Sequence, residues 1–439
     1  MKSVLVVAYY FPPSGGPGVQ RVLKFVKYMR EFGWQPVVLT VESADYPARD
    51  ESLLKEIPDD VPVYRTKIFE PYDWYRKFTG KKAGTPVDVN TIPSSGARRS
   101  MAERLAEFIR ATFFIPDARI GWYRHAVKEG LRVIQKHDIS ALYSSSPPYT
   151  SALIARRLKR LTGLPWIAGF RDPWRGFLST PKRWFIPDLV DRYFERHTYL
   201  ECDRMEVAWT GIRKDFAAKY PGIPVEKVIH LPNGFDSDDY PDLPPLRNER
   251  FTVTYTGSMY GKRNPKAFLE GVRTAIKSGK VSLDDIQLQF VGRFGDEVMQ
   301  MLRDPVLAPA ISILGYLPHS ESIQRLLTSD ALLMVVDDYP GNEEIVPGKV
   351  FEYIGSHKPI IALAPEGAVS GIIRETRSGI VCSSHDHTCI ASAFLTLFNR
   401  WKRGERLVEP DENAIRQYER REITKRLSTI LDEITQNTP

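Results

Sequence analysis

The chain has 439 residues, 61 Lys and Arg against 54 Asp and Glu, and a net charge of +7. That length exceeds what one core ordinarily holds and suits two domains, and the ordinary mix of apolar and charged residues excludes a disordered or collagen-like chain. No apolar run approaches the roughly 18–20 residues of a spanning helix, and the surplus of base points to phosphate-bearing ligands or an acidic membrane face, with solubility as the plain alternative.

Residues Ser3 to Tyr9 form an almost unbroken apolar run, the pattern of a strand covered on both faces. The opening segment, Met1 to Ala8, is too short for a signal peptide. A loop from Pro12 to Gly18 leads into helical spacing over Val19 to Phe32, where Val22, Phe25, Val26 and Met29 share a face. Gly33 ends that helix, and strands follow at Gln35 to Val41 and Val61 to Thr66. Phe69 to Arg99 is irregular and mixes aromatic with basic residues, most densely over Trp74 to Lys82. Helices are expected at Met101 to Phe114, Trp122 to Lys136, Thr150 to Leu161 and Asp188 to Glu201. Strands are expected at Ala141 to Tyr143, Pro165 to Gly169, Met205 to Ala208 and Val228 to Leu231. Pro232 to Asp236 reads as a turn, and Ser237 to Glu249, acidic and proline-rich, as a linker. A second alternation then places strands at Phe251 to Tyr255, Gln287 to Val291, Ile311 to Leu314, Ala331 to Val336, Pro359 to Leu363 and Gly379 to Val381. Amphipathic helices over Ala391 to Trp401 and Glu419 to Thr435 close the chain. The alternation predicts α/β architecture with two parallel sheets and right-handed crossovers. The expected domains are residues 1–240 and 250–410, with 411–439 crossing back to the first. Cys202, Cys382 and Cys389 predict no disulfide framework and hence a reducing, cytoplasmic setting.

The most specific motif lies near the C-terminus. Glu344 and Glu352 stand eight positions apart around Pro347-Gly348-Lys349, between an apolar strand and a helical run. A strand end that opens into a helix N-terminus presents unpaired amides and a favourable dipole to anions. Two carboxylates beside an anion site suit a ligand that is both phosphorylated and rich in hydroxyls, as a nucleotide sugar is. Gly15-Gly16, after the first strand, lets backbone approach a phosphate. It is not a GxGxxG, and a tight turn is the alternative. After the first strand of the second half, Lys262-Arg263 supplies cations able to neutralise a leaving diphosphate. Arg263 is the better choice because a guanidinium engages phosphate bidentately. Arg171-Asp172 leaves another strand end. Asp172 is a candidate to orient an acceptor hydroxyl, with a structural salt bridge as the alternative. His125 is expected to be structural. Asp337-Asp338 and Asp238-Asp239 make poor chelates, since adjacent residues on an extended chain point apart. The cluster Cys382, His385, His387 and Cys389 lacks the spacing of a zinc site, and Asp386 there is a candidate helix cap. No metal site and no nucleic-acid module are predicted.

Glu344 to Tyr353 resembles the Glu-x7-Glu signature of glycosyltransferase family 4, including its Pro-x-Lys-x-Phe-Glu-Tyr core. Gly15-Gly16 with Val19-Gln20-Arg21 resembles the donor-phosphate loop of that family. Asn233-Gly234-Phe235-Asp236 resembles its Asn-Gly-Val-Asp turn, though turn chemistry alone explains that motif. The resemblance implies a GT-B fold, with two Rossmann-like domains facing an interdomain cleft. It also implies a metal-independent hexosyl- or related transferase that retains anomeric configuration and needs no cofactor beyond its nucleotide-sugar donor. By the same resemblance Glu352 holds the ribose hydroxyls, Glu344 the donor sugar, and Gly348 and Lys349 the phosphates. Gly292-Arg293 and His319 lie near the base, with helix capping as the alternative for His319. Two positions depart from the family pattern. Ser258 stands where an Arg is usual, which leaves the cationic role to Arg263 or Lys262, and Ser144 to Pro148 replaces a segment that usually carries a His. The implied acceptor is a saccharide or lipid-linked saccharide, in cell-surface polysaccharide or glycoconjugate synthesis on the cytoplasmic side. The aromatic and basic stretch Trp74 to Lys82, with Ile109 to Ile115, is a candidate contact with an anionic membrane. A sugar-nucleotide epimerase or hydrolase, and a non-catalytic binding subunit, are the rival expectations.

Overall fold

The computed structural model describes residues 1–42, 46, 49–69, 108–176, 182–244, 247–337 and 343–436. The chain forms two compact units, one of Met1–Pro232 with Ile423–Pro439, the other of Asn233–Glu422.

The first unit is built on a parallel sheet of seven strands: β1 Lys2–Ala8, β2 Trp34–Val41, β3 Val63–Thr66, β4 Ile139–Ser146, β5 Trp166–Phe170, β6 Arg204–Val207 and β7 Val228–His230. Their order is β3-β2-β1-β4-β5-β6-β7. The chain thus starts mid-sheet, winds to one edge, and crosses over at β1/β4 to build the other edge. Both faces are covered, which is why β1 is apolar at consecutive positions: Leu5 and Val7 enter one core, Val4 and Val6 the other. The first core takes the helices Tyr123–His137 and Thr150–Thr162; the second takes the helix Pro17–Tyr28 and the C-terminal helix Arg420–Gln436. From that last helix Ile423, Leu427, Ile430, Leu431 and Ile434 pack with Val4, Val22 and Phe25.

Two charged networks lie inside this unit. Arg21 and Glu206 form an ion pair in which both side chains are buried. Arg21 also donates to the carbonyls of Pro232 at 2.8 Å and Leu231 at 2.7 Å, and the Tyr143 hydroxyl donates to Glu206 at 3.0 Å. Such added hydrogen bonds are what let a buried pair offset its desolvation. Around the helix Phe185–Glu201, Asp191 accepts from Trp174 Nε1 at 2.8 Å and pairs with Arg183 at 3.0 Å. Glu195 accepts from the Tyr220 and Tyr199 hydroxyls at 2.7 and 3.3 Å. Asp191 and Glu195 therefore lie on the buried side of this helix, and its large apolar residues Phe185, Leu189 and Tyr193 are exposed.

The second unit holds a parallel sheet of six strands: β8 Phe251–Thr256, β9 Ile286–Val291, β10 Ile311–Gly315, β11 Ala331–Val335, β12 Ile360–Leu363 and β13 Gly379–Cys382, in the order β10-β9-β8-β11-β12-β13. Each strand expected from the apolar runs is present, and the α/β expectation holds in both units. Cysteine pairing differs from expectation. Cys382, ending β13, is bonded to Cys389 in the first turn of the helix His387–Lys402. The strand end and helix start bring their Cα atoms to 5.8 Å, within bridging reach. Asp386 caps that helix, accepting from the Cys389 amide at 2.8 Å. Cys202 is free and buried. Among the described residues no helix is long and apolar enough to cross a membrane. Residues 70–107, and with them Trp74 to Lys82, lie outside the described residues, as does most of the helix expected from Met101.

Candidate functional site

The carboxyl ends of β8, β9 and β10 finish side by side on glycine. The amide of Gly257 donates to the carbonyl of Val291 at 2.8 Å, and the amide of Gly292 donates to that of Gly315 at 2.7 Å. Gly292 has φ 140°, and a Cβ placed there would collide with the Gly257 carbonyl oxygen; Gly257 has φ 109°, and its Cβ would lie 2.6 Å from Lys349 Nζ. Both positions demand glycine, for conformation and for space.

Onto this edge the short helix Lys349–Gly355 sets one face. Lys349 Nζ donates to the Tyr255 hydroxyl at 2.7 Å and to the Thr256 carbonyl at 2.9 Å, and lies 4.2 Å from the centre of the Tyr255 ring. One turn later the Tyr353 hydroxyl accepts the Thr256 amide at 2.9 Å. Burial pushes Lys349 down from 10.5 to about 7; the Arg263 charge adds to the fall, and Glu352 and Asp337 oppose it. Arg263 Nη2 meets Asp337 Oδ2 at 2.8 Å, just beyond the end of β11. The buried Nε of Arg263 has no hydrogen-bond acceptor among the described residues. Two cations and one carboxylate thus share one strand-end surface, with part of the donor capacity of Arg263 unused.

Glu352 stands in the first turn of the same helix. Its main-chain carbonyl accepts from the Tyr240 hydroxyl at 2.8 Å, and its carboxylate lies 3.9 Å from Nδ1 of His319. Nε2 of His319 lies 3.6 Å from Asp239. His319 is the first residue of the helix His319–Leu327, whose cap position is Pro318.

The remaining expected residues divide. Glu344 is half-buried in the turn before Pro347, and Gly348 immediately precedes the helix and is exposed. Lys262 is exposed, and the guanidinium of Arg293 lies 4.8 Å from the Tyr316 ring centre, beside the β9 and β10 ends. The expectation of free helix amides needs correction: those of Val350 and Phe351 donate to the carbonyls of Pro347 and Gly348, both at 3.1 Å. A tight first turn consumes them.

In the first unit Gly15 and Gly16 precede the helix Pro17–Tyr28, Gly16 with φ 98°. Arg21 is taken up by Glu206 and so is closed to a phosphate. Asp172 leaves β5 half-buried, and burial raises its carboxyl above the ordinary range while Arg171 opposes the rise. Arg171 bonds elsewhere, to Ser145 Oγ at 2.6 Å and to the Pro147 carbonyl, and among the described residues Asp172 forms no salt bridge. His125 is exposed on the helix Tyr123–His137. Motif spacing does not single out Asp337, Tyr255, Tyr353 or Tyr240 as site residues. A signal exists for Asp337, a carboxylate directly after an apolar strand, and for Tyr353, one turn from Lys349. Tyr240 sits in the expected linker and has no local signal.

Residues 250–400 match the family described as Glycosyl transferases group 1. Over that span the second unit is similar to the group 1 glycosyltransferases. The whole chain shares the GT-B fold of solved glycosyltransferase structures. Anabaena HepE in complex with UDP superposes with a TM-score of 0.57 at 12% identity, over 99% of this chain and 100% of that one. Sucrose-phosphate synthase from Thermosynechococcus elongatus gives 0.57 at 12%, over 99% of each. An S. aureus TarM mutant in complex with Fondaparinux, alpha-GlcNAc-glycerol and UDP gives 0.57 at 11%, over 98% and 100%. No curated protein matches the chain by sequence. The second unit places Arg263, Lys349, Glu352 and His319 toward the carboxyl edge of its sheet, where open α/β sheets take their ligands.

Proposed function

We propose that this protein is a group 1 glycosyltransferase that moves a sugar from a nucleoside-diphosphate donor to a saccharide or lipid-linked acceptor, with retention of configuration. The observation that carries the proposal is the placement of Arg263 and Lys349 on one strand-end surface, one with an unused buried donor atom and the other a buried ammonium. A diphosphate laid there offers both cations an opposite charge. Glu352, beside His319, is suited to the ribose hydroxyls. The UDP and UDP-glucose complexes of HepE support a nucleotide-sugar donor.

In this proposal catalysis is electrostatic. As the sugar–phosphate bond breaks, negative charge grows on the departing diphosphate; Arg263 and Lys349 stabilise it more strongly than they stabilise the ground state. The leaving oxygen takes the proton of the attacking hydroxyl. Glu344 serves the donor sugar, and Asp172 orients the acceptor.

Thermal-shift measurements against UDP-, GDP- and ADP-sugars test this proposal. One base should raise the melting temperature well above the others, by mass action. Arg263→Ala and Glu352→Ala should abolish both the shift and transfer while leaving the fold intact. Full turnover in both variants refutes the assignment. Release of free nucleotide without any acceptor would favour a hydrolase.

A further inference from the structure

The helix Phe185–Glu201 buries Tyr199 in the core but carries acids on the same side and large apolar residues on its exposed side. Its acids Asp191 and Glu195 are buried, and Phe185, Ile186, Leu189, Tyr193 and Leu200 are 78, 56, 54, 49 and 42% exposed. At about 100° per residue these five fall within one stripe. Arg192 lies at the edge of the stripe and Arg196 within its span, and both are exposed. The other acids of the helix are held by arginines: Asp188 by Arg175 at 2.6 Å and Arg192 at 3.3 Å, Glu201 by Arg156 and Arg160, both at 2.6 Å.

The stripe continues on both sides. Before the helix, Trp184 is 43% exposed and donates to Thr112 at 3.0 Å, and Phe113 is 71% exposed. Arg183 fixes that side by donating to the carbonyls of Ala111 and Pro116, each at 2.6 Å, while paired with Asp191. Across the helix, an open groove lies between Arg156, Arg157, Arg160, Ile120, Leu153 and Phe194. The guanidinium of Arg156 sits 5.8 Å from the Tyr193 ring. Among the described residues this surface is apolar with an arginine border, a tryptophan at its rim and its acids neutralised.

We propose that this face of the first unit docks on an anionic lipid bilayer. Soluble proteins seldom expose so continuous an apolar stripe without a use for it. Its arginine border complements anionic headgroups and would repel an identical border, which favours a lipid over a second copy of this chain. Trp184 and Tyr193 carry the amphipathic rings that settle at headgroup depth. The inward acids make the arrangement costly to reverse, because turning the helix would bury apolar groups but strand Arg183 and Trp174 without their acceptor. The face shares no residue with the donor chemistry proposed above.

Sedimentation of the full chain with phosphatidylcholine vesicles, with and without phosphatidylglycerol, tests the docking. Binding is expected on the anionic vesicles and should be much weaker on phosphatidylcholine alone. It should fall in ~1 M salt, where charge reaches only about 3 Å. Leu189→Ser with Phe185→Ser, both at exposed positions, should weaken binding by at least ~10-fold at any salt, each side chain withdrawing apolar area. Arg157→Gln or Arg196→Gln should each cost about fivefold at low salt and nothing at high salt. Circular dichroism and melting of the variants should match the parent. Equal binding to both vesicle types, or affinity unchanged by the serine pair, overturns the proposal. So does a dimer in solution that the serine pair dissolves while the parent fails to sediment.

Discussion

The ammonium of Lys349 is held 2.7 Å from the hydroxyl of Tyr255, under a backbone turn that only glycine can make at Gly257. Burial there pushes Lys349 down to about 7. Below that pH the ammonium is charged in both folded and unfolded chains, and the cost of burying it is borne in full. As the pH rises from about 7 toward the ordinary lysine range, the folded chain gives up the proton first and stability increases. Lys349→Met should therefore raise the melting temperature by a few degrees, ~2–4 °C per kcal/mol regained, and more below neutral pH than well above it. Nucleotide binding should run the other way. A diphosphate favours the charged lysine, so affinity should weaken as pH rises above about 7, by up to ~10-fold per unit. Calorimetry of UDP binding across that range checks it, and the slope should vanish in Lys349→Met.

Asp337 lies 2.8 Å from Arg263, where it neutralises the guanidinium proposed for the donor phosphates. A diphosphate must compete with that carboxylate. Asp337→Asn should tighten nucleoside-diphosphate binding several-fold, on the order of 1 kcal/mol for a partly exposed pair, and the gain should shrink as salt is added. Weaker binding in Asp337→Asn would mean that the carboxylate positions Arg263 and does not compete for it.

Gly292 and Gly16 separate backbone strain from lack of space. Both have positive φ, but only at Gly292 does a Cβ strike backbone, at the Gly257 carbonyl, whereas at Gly16 it meets nothing within 4 Å. Gly16→Ala should cost about 1–2 kcal/mol. Gly292→Ala should cost more, roughly 3 kcal/mol or above, because the β8 and β9 ends must part. Urea unfolding of the two variants side by side measures the difference.

Removing Arg21 alone should be severe. Arg21→Met leaves Glu206 buried beside Tyr143 without its counter-ion, at a cost of about 3–5 kcal/mol. Arg21→Met combined with Glu206→Leu should recover most of that loss, since no charge is then stranded. A double-mutant cycle by denaturant unfolding checks the coupling.

The sheets are legible in the sequence because parallel strands covered on both faces are apolar at consecutive positions. Ser3 to Tyr9 and Ala331 to Val336 announce themselves without any long-range information. Lys349 and Glu352 stand out as a pair because strand, loop and helix follow one another within a short span. Contacts that join distant segments leave no such trace. Glu206 looks like a polar residue near a strand edge, and nothing local says that Arg21 will reach it. Helical spacing over Asp188 to Glu201 gives the correct element with a late start, but periodicity alone assigns its acids to solvent and its leucines to the core. Only the positions of Trp174, Arg183 and Tyr220 reveal the reversal. Cys382 and Cys389 pair because of the shape of a strand-to-helix turn, which a count of cysteines does not convey.

The helix Arg420–Gln436 sends Ile423, Leu427, Ile430, Leu431 and Ile434 into a core whose other members all precede Pro232 in the chain. On the ribosome, then, the earlier unit waits. Its strands emerge first, yet one wall of its interior stays open until the later unit has been translated, a delay on the order of ten to forty seconds at ordinary elongation rates. During that interval Val4, Val22 and Phe25 lack their cover, and chaperones have a reason to hold the nascent protein. A fragment cut at the boundary between the units would carry the same gap permanently.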